Sequence, residues 1–365
     1  MSEITRQEEE DLRVLSCKEN LTDIERQRHD QLACKYLSSR ETEFLEKFIK
    51  PFCPNFRIGR SSSSGSINTY YRGTTLEVST SNEIFKDSQY YFEPKKSQRL
   101  VHFTSYSNLK AILKSQCLWL KPLDSMEDPN EMFTLAQNLG FGKKEITDYQ
   151  EDYYSASFNL FENDNCEEWI FWKMYGKDRK DCLDGTGAAL EFTIEDQEIS
   201  KWRSFHCSEI HYDSKLQMLE GLKKDAQDWM SNREFRIRNL SEIFLKLMSF
   251  YKDKMWGFEK EIRILFDNGD YANENSLIKA KEDSFGRRVE LPLGRKLDNQ
   301  NQDYIEKGYE EGVNFNPQLK LSSIILGPKI KDFSNRKEEI EELSKNNFTD
   351  AVKVRKSKFY DYFNA

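Results

Sequence analysis

The chain has 365 residues, of which 37% are hydrophobic and 13% aromatic, enough for a packed core in about two domains and too much for a disordered chain. Its 55 Lys and Arg against 63 Asp and Glu leave a formal charge of −8, which excludes a broad nucleic-acid footprint and confines such contacts to local basic spots at Arg233, Arg236 and Arg238, at Arg287 and Arg288, and at Lys353 to Lys358. Seven scattered cysteines without a Cys-x-x-Cys pair argue against a structural metal. With the acidic first residues and no apolar run of membrane-spanning length, they predict a soluble, cytoplasmic protein with no membrane partner.

In chain order, residues 3 to about 50 have helical spacing, with Thr22 as an N-cap and Leu37, Leu45, Phe48 and Ile49 on one apolar stripe that stops at Pro51. A helical hairpin of this kind needs a surface to pack on. The run Arg60-Ser-Ser-Ser-Ser-Gly65 reads as a linker, and Thr69 to Tyr71 and Thr75 to Ser79 read as short strands. These features predict a helical accessory region over residues 1–96 and a main domain over 97–365.

From Arg99 onward strand-like and helix-like runs alternate. The predicted strands are Leu100 to Thr104, Cys117 to Lys121, Tyr154 to Phe158, Ala188 to Ile194, Ile210 to Tyr212, Val289 to Leu293, Ser322 to Leu326 and Val352 to Arg355. Helices are expected from Ser107, whose hydroxyl could cap the first turn, around Glu167 to Tyr175, twice between Lys215 and Lys252, and near Lys337 to Lys345. An acidic turn at Asp128-Pro129-Asn130-Glu131 suits a helix start. Strands clustered away from a helical insert predict an α+β fold.

The most informative stretch is Trp256-Gly-Phe-Glu259-Lys-Glu261-Ile-Arg263-Ile-Leu-Phe266. Read as a strand, it puts Glu259, Glu261 and Arg263 on one face and Ile262, Ile264 and Phe266 on the other. Two carboxylates at a strand edge suit the stabilisation of a developing sugar cation. Charge pattern alone equally allows a solvated ion pair between Glu261 and Arg263. His102 and Thr104 share one face of their strand, and Ser155 and Ser157 share one face of theirs. Trp169, Trp172 and Tyr175 form an aromatic helix stripe, a pattern more common in cores than in cofactor sites.

As an ordered set these segments resemble a bacterial family called domain of unknown function 2971. The resemblance rests on the His102-Phe-Thr104 strand with the Asn108 to Leu113 helix, the Asp128-Pro129-x-Glu131 turn and the Ser157-Phe158 strand. It continues in Trp172-x-x-Tyr175-Gly176, Trp256-x-x-Glu259-x-Glu261-x-Arg263 and Ile324-Ile-Leu-Gly327-Pro328. It covers about residues 99 to 330; Asp267 to Arg287 departs from it as an insertion, and the first 96 residues lie outside.

That family is in turn similar to ADP-ribosyltransferases, and the similarity implies a split β-sheet core that uses NAD as a substrate. It implies that Glu261, Glu259 and His102 are catalytic, with Glu261 stabilising an oxocarbenium-like state and Glu259 orienting or deprotonating the acceptor. His102, Thr104, Ser155 and Ser157 would bind NAD, while Phe158, Trp172 and Tyr175 would wall the nicotinamide. The implied role is a bacterial toxin or anti-phage defence effector that modifies a nucleic acid or protein, with an antitoxin or regulatory partner at the N-terminal helices. The alternatives are an NAD glycohydrolase, a nuclease, or a non-catalytic nucleotide-binding module.

Overall fold

A computed structural model describes residues 4–18, 20–49, 59–60, 74–76, 78–79, 98–125, 132, 136–137, 139–162, 167–177, 183–194, 205–212, 222–232, 235–237, 240–252, 254–268, 280–284, 286–293, 319–348 and 350–364. The chain divides into two compact units. One comprises Met1–Tyr91, Asn130–Tyr149 and Asp213–Tyr251, and the other Phe92–Pro129, Gln150–Tyr212 and Lys252–Ala365. The first division falls between Tyr91 and Phe92, and the chain crosses between the units again after Pro129, Tyr149, Tyr212 and Tyr251. Among the described residues, no helix is long and apolar enough to cross a membrane.

The first unit shows what the N-terminal helices pack on. Helices Arg6–Ser16 and Asp23–Phe44 each open with a reciprocal cap. Thr5 Oγ1 accepts the Glu8 N–H while the Glu8 carboxylate accepts the Thr5 N–H, and Thr22 and Glu25 repeat the arrangement as the sequence predicts for Thr22. Phe44 and Phe48 set their rings 6.1 and 5.7 Å from Trp229, whose indole N–H donates to Glu43. Trp229 lies on helix Leu222–Asn232. The predicted helical insert therefore shares a core with the N-terminal region, because an amphipathic hairpin buries its stripe only against another apolar surface. Short strands β1 (Gly59–Arg60) and β3 (Val78–Ser79) pair with each other, and β2 (Thr74–Leu76) pairs in parallel with β9 (Phe235–Ile237). The Ser-rich run 61–65, the predicted strand 69–71 and the Asp128-Pro129-Asn130-Glu131 turn lie outside the described residues.

The second unit is built on one large sheet, giving the chain a mixed α and β structure. Its strands are β4 (Gln98–Thr104), β5 (Cys117–Pro122), β6 (Tyr153–Glu162), β7 (Ala188–Ile194), β8 (Phe205–Glu209), β10 (Glu261–Asp267), β11 (Ala280–Asp283), β12 (Gly286–Pro292), β13 (Leu319–Leu326) and β14 (Lys353–Lys356). All neighbours are antiparallel except β13 and β14.

The sheet forks at β6. One edge of β6 pairs with β10 from Tyr153 to Asn159. The other edge pairs with β5 at Tyr154 and Ser155 and with β4 from Asn159 onward, so β4 and β5 leave the same edge in two branches. One branch continues through β7, β13 and β14, and the other through β12 and β11. The predicted insertion after Asp267 contributes β11, a hairpin partner of β12.

Register fixes what each face carries. Val101 pairs with Asn159, and Asn159 with Glu261, so these share a face with Ser157, Arg263 and Phe103. On that face Phe171 and Trp172 of helix Trp169–Met174 pack with Val101, Phe103, Phe161, Ala189 and Ile325. The helix after β4 starts one residue earlier than expected. Ser105, rather than Ser107, accepts the Asn108 N–H at 3.1 Å and caps Tyr106–Ser115, because Tyr106 takes the first helical position. The strand expected at Ile210 to Tyr212 falls instead at Phe205–Glu209.

Candidate functional site

The Glu-x-Glu segment is not a continuous strand. Lys254–Glu259 forms a 3₁₀ turn, Lys260 takes a left-handed backbone with φ of 45°, and β10 begins only at Glu261. The kink replaces simple alternation as the reason the two carboxylates converge. Both reach the same ammonium group: Lys252 Nζ lies 2.8 Å from Glu259 Oε2 and 2.7 Å from Glu261 Oε2. Strand alternation does hold for Glu261 and Arg263, whose Nε donates to Glu261 Oε1 at 3.0 Å. Ser157 on the neighbouring strand donates to the same oxygen at 2.5 Å.

These groups are buried. Glu259, Glu261 and Arg263 are each 3% exposed, so the solvated ion pair that charge pattern allowed is excluded. Burial alone would raise the Glu261 pKa, but the Arg263 and Lys252 charges, with hydrogen bonds from Lys252 and Ser157, hold it down to about 2. Glu261 is therefore a fixed anion at neutral pH, suited to electrostatic stabilisation rather than proton transfer. Of its roughly four lone-pair sites, Ser157, Arg263 and Lys252 use three. Tyr212 adds a neutral support, its phenol oxygen accepting the Glu261 N–H at 3.0 Å; burial first and the Glu261 charge second push the phenol pKa up.

Glu259 is held from two further sides. Tyr175 donates its hydroxyl to Glu259 Oε1 in a short contact, and Asn159 Nδ2 donates to the Glu259 carbonyl at 2.6 Å. Locked between Lys252 and Tyr175, the Glu259 carboxylate is placed to hold Lys252 against Glu261 rather than to meet an acceptor.

The other expected residues separate into groups. Ser155 lies on the carboxylate face two residues before Ser157 and is 3% exposed. Phe158 and Trp172 do not wall a nicotinamide pocket, since they are 1% and 0% exposed. The Phe158 ring packs edge-on against Phe192 on the opposite face, and Trp172 sits edge-on to Phe103 with its indole N–H donating to Glu167. The stripe at Trp169, Trp172 and Tyr175 is thus the core pattern, with Tyr175 giving its hydroxyl to Glu259.

His102 and Thr104 alternate onto the face opposite Glu261. The His102 ring lies 5.8 Å from that of Phe158, in the wedge where β4 leaves β6. Its Nδ1 is 3.0 Å from the Ser157 carbonyl oxygen, an acceptor only, so Nδ1 carries the proton. Burial pushes its pKa below the usual histidine value despite that bond, which keeps the ring neutral. The imidazole thus occupies the place of a lost ladder hydrogen bond. His102→Ala is expected to orphan the Ser157 carbonyl and cost about 1–3 kcal/mol of stability, read as a lowered chemical-denaturation midpoint. An unchanged midpoint would remove this role. Thr104 is buried at the end of β4 beside Ala188.

Sequence reasoning missed Lys252, Tyr212 and Asn159. None carries a local signal: Lys252 precedes the 3₁₀ turn, Tyr212 follows β8, and Asn159 gains its role only from pairing opposite Glu261. Among the described residues, no group of three or more His, Cys, Asp or Glu side chains is arranged to hold a metal ion. Comparisons of the chain with protein-family models, with curated proteins and with solved structures find no match.

Proposed function

We propose that the chain is an NAD-dependent ADP-ribosyltransferase of the split-sheet kind, acting as a bacterial toxin or anti-phage effector. The observation that carries this reading is the hydrogen bond from Ser157 Oγ to Glu261 Oε1, which joins the middle Ser-x-Ser and the late Glu-x-Glu elements of the resemblance at one point of a forked sheet. In this reading the nicotinamide–ribose bond breaks with its electron pair leaving on nicotinamide, and the ionised Glu261 stabilises the sugar cation and accepts a ribose hydroxyl. An acceptor nucleophile then attacks the anomeric carbon and loses its proton to water. Glu259 acts as a positioning residue through Lys252. His102 is one as well, because its bond to the Ser157 carbonyl sets the backbone of the residue that holds Glu261.

A second reading has a specific observation in its favour. Two carboxylates meeting Lys252 and Arg263 at 3% exposure make a charge-balanced cluster, as expected of an ion lock in a non-catalytic nucleotide-binding module. Incubating the purified chain with NAD, with and without cell lysate or nucleic acid, separates the readings by nicotinamide release. The transferase reading expects release that rises with an acceptor. Equal release without one indicates an NAD glycohydrolase, and no release in either sample indicates the binding module or a nuclease.

A further inference from the structure

The last strand and helix of the chain put cations and open aromatic rings on one surface. Lys356, at the end of strand β14, and Lys358, just after it, are both exposed. Helix Tyr360–Phe363 follows, with Tyr362 81% and Phe363 36% exposed. Phe363 stacks on Trp169 with ring centroids 4.6 Å apart, and Tyr362 stands edge-on to Phe363 at 4.9 Å. Lys329 completes the cluster, its ammonium 5.2 Å from the Trp169 centroid and 5.0 Å from that of Phe363. Asn364 fastens this end of the chain to the Pro328 carbonyl at 2.7 Å. The surface is held in shape, yet the Tyr362 ring is left bare.

A positive patch on a chain of charge −8 is complementary to a polyanion at one place rather than broadly. Lys356 pairs with Asp361 at 2.8 Å, but both side chains are largely exposed and such a pair exchanges readily for a phosphate. An acidic peptide would use the ammonium groups and have no need of the rings. Ammonium groups set beside exposed ring faces are the combination that single-stranded nucleic acid uses, phosphates on the cations and bases on the rings.

The patch also adjoins the carboxylates through the chain. Trp169 opens the short helix whose far end leads to Tyr175, the donor to Glu259, and Glu168 lies 4.0 Å from Lys260, the residue between the two carboxylates. A six-residue helix spans about 9 Å, so a strand of nucleic acid on the patch would lie near the carboxylates.

We propose that the surface formed by Trp169, Lys329, Lys356, Lys358, Tyr362 and Phe363 binds single-stranded nucleic acid. Its role as the site that presents the acceptor rests on the transferase reading. The binding itself does not, and it is tested without NAD, so the two fail separately. The probe is a fluorescein-labelled oligothymidylate of about 15 nucleotides, followed by anisotropy at low and moderate salt. The wild-type chain is expected to bind it with an affinity that falls as salt rises. Tyr362→Ala is expected to weaken binding about tenfold at an unchanged melting temperature, since that ring is bare. Lys356→Ala with Lys358→Ala is expected to weaken it and flatten the salt dependence. Three results overturn the proposal: no binding by the wild type, wild-type affinity in Tyr362→Ala, or displacement of the probe by polyglutamate as readily as by unlabelled oligothymidylate, which would mark the patch as a dock for acidic protein.

Discussion

Glu261→Gln is expected to lower stability by roughly 3–5 kcal/mol, because it leaves the two buried cations Lys252 and Arg263 with Glu259 as the remaining carboxylate of the cluster. Thermal melting should fall by on the order of 10 °C. The same ion lock has a definite pH signature. The folded-state pKa of about 2 lies below the ordinary value of 4.5, so the stabilisation is fully present above about pH 4.5 and is lost as pH falls toward 2. That depression corresponds to roughly 3 kcal/mol at 1.36 kcal/mol per unit. Wild type should thus lose its advantage over Glu261→Gln on acidification from pH 5 to 2, the two unfolding free energies converging. Parallel pH profiles would mean that the cluster is not an ion lock. Loss of activity in this variant also mixes chemistry with folding, so Ser157→Ala is the cleaner probe of turnover.

The second large effect concerns a place where backbone meets backbone. A Cβ added to Gly187 would lie 2.2 Å from the Thr104 carbonyl oxygen and 2.8 Å from the Gly176 carbonyl carbon. Nothing there is the loose end of a side chain. The Gly187 N–H donates to the Gly176 carbonyl at 3.0 Å, and its own carbonyl accepts from Gly327 at 2.9 Å, so the segment cannot move aside without breaking both. Gly187→Ala is expected to cost roughly 3 kcal/mol or more, with poor recovery of folded protein. Gly142→Ala, where the added methyl meets nothing within 4 Å, is the matched control and should melt near the wild type. If Gly187→Ala also melts near the wild type, the close approach of the Gly176, Gly187 and Gly327 segments is wrong.

Much of the sheet was legible in the sequence because its strands are short apolar runs bounded by turn residues. Ala188–Ile194 is buried through its first five residues and β10 along its whole length, and the apolar residues of each mark a strand although Glu191, Glu261, Arg263 and Asp267 are buried among them. The Thr22 cap was legible because Glu25 stands three residues on and both side chains bond the other's backbone. What could not be read was every contact decided by a distant segment. The pairing of Phe48 with Trp229 joins the N-terminal helices to an insert almost two hundred residues away, a separation no local period records.

The site was legible in part for the same reason. Glu261, Arg263 and Ser157 meet because alternation and an antiparallel register bring them together, and both follow from local pattern once the strands are paired. Glu259 converges on Glu261 through a left-handed Lys260, a residue type that gives no warning of that backbone. His102 reads as a partner of Glu261 from order along the chain, yet register turns it to the other face, where the wedge between β4 and β6 gives it the Ser157 carbonyl.

The central claim is that the Ser157–Glu261 pair carries cleavage of NAD. The most direct test is the rate of nicotinamide release from NAD, compared between wild type and Ser157→Ala at the same fraction of folded protein. The account predicts measurable release by the wild type and a loss of about tenfold or more in Ser157→Ala, because the serine helps to fix the Glu261 carboxylate that would stabilise the developing charge. Release at the wild-type rate from Ser157→Ala, or no release from the wild type with any acceptor, would contradict it.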